Sequence, residues 1–85
     1  MEKVDIRKRV EELILENILM VDAEDLKKDD VTFDYLAFDY LDIIELIMEA
    51  EKEFGILVYD EEEEKLESVN DLVELVYNKK NNERK

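Results

Sequence analysis

Carboxylates are the only reactive side chains this chain holds in number. It has no histidine and no cysteine, and Ser68 and Thr32 are its only serine and threonine. Without imidazole the usual acid–base group near neutral pH is missing. Without thiols there are no disulfides, thiolate zinc sites or thiol nucleophiles. The composition therefore argues against a catalytic centre and for a binding module. The acids gather in two places. Asp39, Asp42, Glu45, Glu49 and Glu51 recur through one segment, interleaved with Leu41, Ile44 and Met48. Acids at helical spacing around a few apolar side chains suit docking: the charges steer a basic partner, and Leu41 and Met48 anchor it. Tyr40, in the same segment, is a residue type favoured at interfaces for its large area and low entropy cost. The second gathering is Asp60-Glu61-Glu62-Glu63-Glu64. Clustered carboxylates attract hard cations, but neither EF-hand spacing nor a turn glycine accompanies this run. It is expected to be screened diffusely by divalent ions and to hold no specific metal.

The charge balance narrows the partners. Twelve basic residues face 26 acidic ones, a formal charge of −14. Residues 1–9 carry +2, residues 79–85 carry +3, and residues 10–78 carry −19. Such a surface repels phosphate backbones and anionic membranes, so neither nucleic acid nor membrane insertion is expected. It attracts basic proteins over long range, the more so at low salt. The N-terminus leads straight into a charged amphipathic segment and does not read as a signal peptide, so a cytoplasmic monomer is expected.

The elements that must position these residues are helical. There is no proline and one glycine, Gly55, in 85 residues, which leaves little turn chemistry for a sheet. Ile6, Val10, Leu13, Ile14 and Ile18 predict a first helix from about Val4 to Leu19. Residues 20–38 are aperiodic and read as a long loop pinned by Val21, Leu26, Val31, Phe33 and Leu36. Asp39 is the expected N-cap of a second helix, Ile43, Leu46, Ile47, Ala50 and Phe54 its buried stripe, and Gly55 its stop. Residues 56–59 read as a buried connector, and Asp60 to Lys65 as one or two helical turns. Ser68, with Asp71 three residues on, predicts the cap of a last helix, whose inner face is Val69, Leu72, Val73, Val76 and Tyr77. The expected fold is all-α: a small antiparallel four-helix bundle, three helices longer and the third short, with a long first loop. One domain is expected over residues 1–78, with a polar, frayed tail over 79–85.

The run Asp39-Tyr40-Leu41-Asp42-Ile43-Ile44-Glu45-Leu46 resembles the Asp-Ser-Leu-Asp-x-x-Glu-Leu signature of acyl carrier proteins. Met48 and Glu51-Lys52-Glu53-Phe54 resemble the rest of that family's second helix. Asp60 to Leu66, followed by Ser68-Val69, resembles its third helix and the start of its fourth. The resemblance covers about residues 4–78. It implies the carrier-protein fold, no enzymatic activity of its own, and partners that present basic patches to the second helix. The family's cofactor is 4'-phosphopantetheine, joined to the signature serine by a phosphodiester and carrying the acyl chain on its thiol.

Three positions depart from the family pattern. Ala37 stands for the usual glycine before the signature, and Tyr59 for the usual proline before the third helix. Most consequentially, Tyr40 stands at the attachment serine. The resemblance thus implies a carrier-like module of fatty-acid or related acyl metabolism that, as written, takes no cofactor. It is either an engineered non-modifiable form or a natural non-carrier homologue. Its expected partner-binding residues are Asp39, Leu41, Asp42, Ile44, Glu45, Met48, Glu49 and Glu51, with Tyr40 at the cofactor position but unmodified. One alternative is a non-carrier interaction or regulatory subunit that uses Tyr40 as a contact. A weaker one is an acidic decoy that mimics nucleic acid.

Overall fold

The computed structural model describes residues 1–82. Helix α1 spans Lys3–Asn17 and buries Ile6, Val10, Leu13 and Ile14 along one stripe. It stops two residues short of the expected Leu19. Ile18 adopts an extended backbone that turns its side chain into the core, while its N–H still donates to the Ile14 carbonyl at 2.8 Å. The Asn17 side-chain amide donates back to the Leu13 carbonyl at 2.9 Å.

The long loop is ordered, and it contains a 3-10 helix over Ala23–Lys27 that apolar periodicity did not reveal. Its signal is polar. Asp22 and Asp25 form a capping box, with the Asp22 N–H donating to the Asp25 carboxylate at 3.2 Å. As expected, Val21, Leu26, Val31, Phe33 and Leu36 are all buried. The loop is also stitched to the start of the last helix. Phe33 N–H donates to the Glu67 carbonyl at 2.9 Å and Val69 N–H to the Val31 carbonyl at 3.0 Å, an isolated antiparallel bridge between Thr32 and Ser68. Phe33 and Phe38 stack with centroids 5.5 Å apart. This fixes the chain's entry into the second helix.

Helix α2 spans Tyr40–Phe54. Leu46, Ile47, Ala50 and Phe54 are buried, and Ile43 is half-buried against the core. Gly55 ends it at φ +65°, the left-handed conformation that glycine adopts without strain. The following connector is not buried as a whole. Ile56 enters the core and Val58 packs on its edge, but Leu57 and Tyr59 are exposed. An extended segment alternates its side chains between two faces, so only one face of it can be covered. Helix α3 is the single turn Asp60–Glu63.

Helix α4 spans Val69–Asn82, so the helix runs four residues past the expected boundary at Asn78. Residues 79–82 are helical where a frayed tail is expected, and residues 83–85 lie outside the described residues. Two lysines hold the extra turn in place. Lys79 pairs with Glu62 at 2.9 Å, and Lys80 donates to the Phe54 carbonyl at 3.0 Å. Ser68 caps the helix through its Oγ, which accepts from Asp71 N–H at 3.1 Å. The Asp71 carboxylate reaches back one residue further than in a standard box, to Glu67 N–H at 2.9 Å.

Helices α1, α2 and α4 close on one apolar core, with α1 packed against both α2 and α4, while the single turn α3 buries no residue. The order of the pairs Lys3–Glu74 and Arg7–Asn70 shows that α1 and α4 run antiparallel. Arg7 also donates to Glu11 at 2.7 Å and to the Leu26 carbonyl at 3.1 Å, binding α1, α4 and the 3-10 turn together. Among the described residues, no buried side-chain nitrogen or oxygen lacks a hydrogen-bond partner.

Candidate docking and attachment site

The site is built around the first two turns of α2. Asp39 caps the helix: its carboxylate accepts from Asp42 N–H at 2.9 Å, and the Asp42 carboxylate accepts from Asp39 N–H at 3.1 Å. Both acids therefore hold the helix start as well as giving it charge, and they sit where the helix dipole favours negative groups. Beyond them, Tyr40 (68% exposed), Leu41 (72%) and Met48 (51%) face solvent. Exposed Glu45 lies between them, and Ile44 is half-buried at the edge. At 3.6 residues per turn, Leu41, Glu45 and Met48 fall on one outward stripe.

The remaining expected site residues are placed differently. Glu49 is half-buried and pairs with Lys52 at 3.6 Å. The Glu51 carboxylate accepts from Val58 N–H at 2.9 Å in a part-buried bond that fixes the connector after Gly55. Glu51 thus serves the fold, and its charge is partly engaged there.

The structure adds Glu63, from α3, to this site. The Tyr40 hydroxyl donates to Glu63 Oε2 at 3.3 Å. The negative charge of Glu63, and more weakly that of Asp60, raises the phenol's pKa above its usual value, since both oppose a phenolate. Sequence reading expected the run 60–64 only to be screened diffusely by divalent ions. The contact spans 23 residues and carries no local signal. A cleft of about 360 Å³ is lined by Thr32, Phe33, Asp34, Ile43, Leu66 and Glu67, and Tyr40 is not part of its wall.

Comparison with known proteins places this arrangement. A family model described as a phosphopantetheine attachment site matches residues 9–76. The acyl carrier protein of Clostridium acetobutylicum is 44% identical over 63 residues, 74% of this chain and 82% of that protein. That of Solidesulfovibrio magneticus is 35% identical over 77 residues, 91% of this chain and 97% of that protein. The chain belongs to the acyl carrier protein family. The crystal structure of the acyl carrier protein from Thermotoga maritima superposes with a TM-score of 0.77 at 31% identity, covering 96% of this chain and 94% of that one. The carrier fold and the absence of enzymatic activity follow from this membership. No helix among the described residues is long and apolar enough to cross a membrane.

Acyl carrier proteins hold 4'-phosphopantetheine as their family norm. The aliphatic hydroxyls here are occupied elsewhere. Ser68 is 4% exposed and caps α4, and Thr32 Oγ1 accepts from Tyr35 N–H at 3.0 Å. The only hydroxyl presented at the start of α2 is a phenol held by a carboxylate.

Proposed function

We propose that this chain is a carrier-protein module without a carrier's arm. It docks as a cytoplasmic monomer on the basic surfaces of enzymes of fatty-acid or related acyl metabolism, through α2. The observation that carries the reading is Tyr40 itself, the first residue of α2, exposed and hydrogen-bonded to Glu63. A tyrosine oxygen lies several ångströms further from the backbone than a serine oxygen, at the end of a rigid ring. Transfer of a phosphoryl-linked group depends on near-attack geometry, and small displacements cost large rate factors. The neighbouring Glu63 carboxylate also raises the phenol's pKa, so it opposes formation of a phenolate. Residues and prosthetic group therefore do not fit.

Support for docking comes from the stripe Leu41, Glu45 and Met48 with Asp39 and Asp42 at its head. Charge reversal at Glu45 and Glu49 is expected to slow association with a basic partner and to flatten its dependence on salt. A second reading, a dedicated interaction subunit, is favoured by the exposure of the Tyr40 ring. Intact mass after incubation with coenzyme A and a broad-specificity phosphopantetheinyl transferase separates these possibilities. The chain is expected to stay unmodified while Tyr40→Ser gains the arm. Modification of the unaltered chain refutes the proposal. If neither protein is modified, the docking face is no longer a carrier's, and the interaction-subunit reading replaces it.

A further inference from the structure

Four tyrosines are present, and three of them lie under a lysine. Lys3 Nζ is 5.0 Å from the Tyr77 ring centroid, Lys28 Nζ is 4.7 Å from Tyr35, and Lys79 Nζ is 4.9 Å from Tyr59. Each pair has the geometry of a cation over the negative face of an aromatic ring. Tyr40 differs. Among the described residues its partner is a carboxylate, Glu63 Oε2, which meets the ring's hydroxyl edge at 3.3 Å. Its faces stay open, at 68% residue exposure.

The surroundings make Tyr40 a strong cation acceptor. Asp39 precedes it, Asp42 lies two residues on, and Glu63 and Asp60 approach from α3. Between residues 10 and 78 the chain carries only four basic residues. Three of these, Lys27, Lys28 and Lys52, are engaged by Glu24, Tyr35 and Glu49. Among the described residues no lysine or arginine lies over the Tyr40 ring, so a cation on its face would come from outside.

We propose that Tyr40 and Glu63 form a seat for an arginine side chain of the docking partner. This inference rests on the docking reading above and names the chemistry of the contact. A guanidinium is flat, so it can lie on the ring face while its N–H fork points to the Glu63 carboxylate at the ring's edge. An ammonium is compact and strongly hydrated and lacks the flat fork that matches ring face and carboxylate together. The hydrogen bond from Tyr40 to Glu63 is long and exposed, so the carboxylate can share it with an incoming donor. Leu41, adjacent and exposed, adds apolar cover beside the seat. The position at which the family joins a covalent arm thus becomes a non-covalent anchor.

The test uses calorimetric titration at low salt with two synthetic peptides of equal charge, one bearing arginines along one helical face and the other lysines. The arginine peptide is expected to bind about fivefold more tightly than the lysine peptide. Tyr40→Ser should abolish that preference, and Tyr40→Phe should keep most of it. Both are substitutions at an exposed position, so neither opens a cavity. Equal affinity for the two peptides overturns the seat. So does a preference that survives in Tyr40→Ser, or one that Tyr40→Phe loses as fully as Tyr40→Ser. The double variant Glu45→Lys, Glu49→Lys tests the reading beneath. If it weakens both peptides while Tyr40→Ser changes nothing, docking stands and the seat falls. If neither variant changes binding, both fall.

Discussion

The two ends of α2 are built differently. Its C-terminal half is fastened. Glu53 pairs with Arg9 of α1 at 2.9 Å, Glu51 holds Val58, Lys80 of α4 reaches the Phe54 carbonyl, and Phe54 is buried. Its first turn has one capping box and a single 3.3 Å hydrogen bond to α3. Yet the two most exposed large side chains of α2, Tyr40 and Leu41, are at that loosely held end. Burial and ion pairing stabilise one end. The other leaves apolar area and charge uncommitted, which a docking surface requires. Binding regions are drawn from the less stable parts of a fold for this reason.

The contrast is broken most severely from within. Leu46 is fully buried in the core, and Leu41, five residues earlier, is exposed. Leu46→Ala is expected to cost about 2–5 kcal/mol in urea denaturation, through lost transfer energy and the cavity left behind. The same substitution at Leu41 is expected to stay within about 0.5 kcal/mol, the range of ordinary surface changes. A comparable loss at both positions would mean that Leu41 is packed, and the free stripe would disappear as a docking surface.

A smaller change should strengthen the loose end. Ala37 sits at φ +60°, two residues before the cap of α2. A side chain with a Cβ in this region costs about 1–2 kcal/mol, which glycine avoids. Ala37→Gly is therefore expected to stabilise the protein by about 1 kcal/mol, offset in part by the greater unfolded freedom of glycine. Loss of stability would show that the turn from Asp34 to Phe38 needs the methyl group. The cap itself can be tested by Asp39→Ala, expected to cost about 1 kcal/mol in the same denaturation experiment, with no change in the fastened half.

These two residues show what could be read in advance. The Asp39 cap, the Gly55 stop, the Ser68 cap and the apolar stripes were legible, because each depends on local chemistry within four residues. The significance of Ala37 came from the family pattern alone, since nothing in its own type announces a positive φ. The 3-10 turn was missed because it buries a single side chain, Leu26, and so has no apolar period. The α4 extension was missed because its support, Lys79 to Glu62 and Lys80 to Phe54, arrives from distant segments. For the same reason Glu63 was absent from the candidate site, and the sequence did not show that Glu51, one of the expected partner-binding acids, also brackets Val58.

The smallest expected effect concerns acid. Glu53 is held below the usual carboxylate range chiefly by its hydrogen bond from Arg9. Glu62 is held there first by Tyr59 N–H and then by Lys79. Both pKa values are lowered by folding, so the unfolded chain binds protons first as pH falls. The stability they contribute is full above the unfolded carboxylate value of about 4.3 and is lost as pH falls through the lower folded values. Overall charge works the other way, because acid relieves the self-repulsion of a chain at −14. A matched control separates the two. Glu53→Gln with Glu62→Gln, and Glu61→Gln with Glu64→Gln, remove the same charge, but only the first pair takes the charge out of these hydrogen bonds and ion pairs. The first variant is expected to melt a few degrees below the second at pH 7, with the gap closing by about pH 3. Hydrogen exchange should place the loss in the C-terminal half of α2 and in α3. A gap that persists at pH 3, or a loss spread evenly along α2, would mean that the fastened end is held by its apolar packing alone.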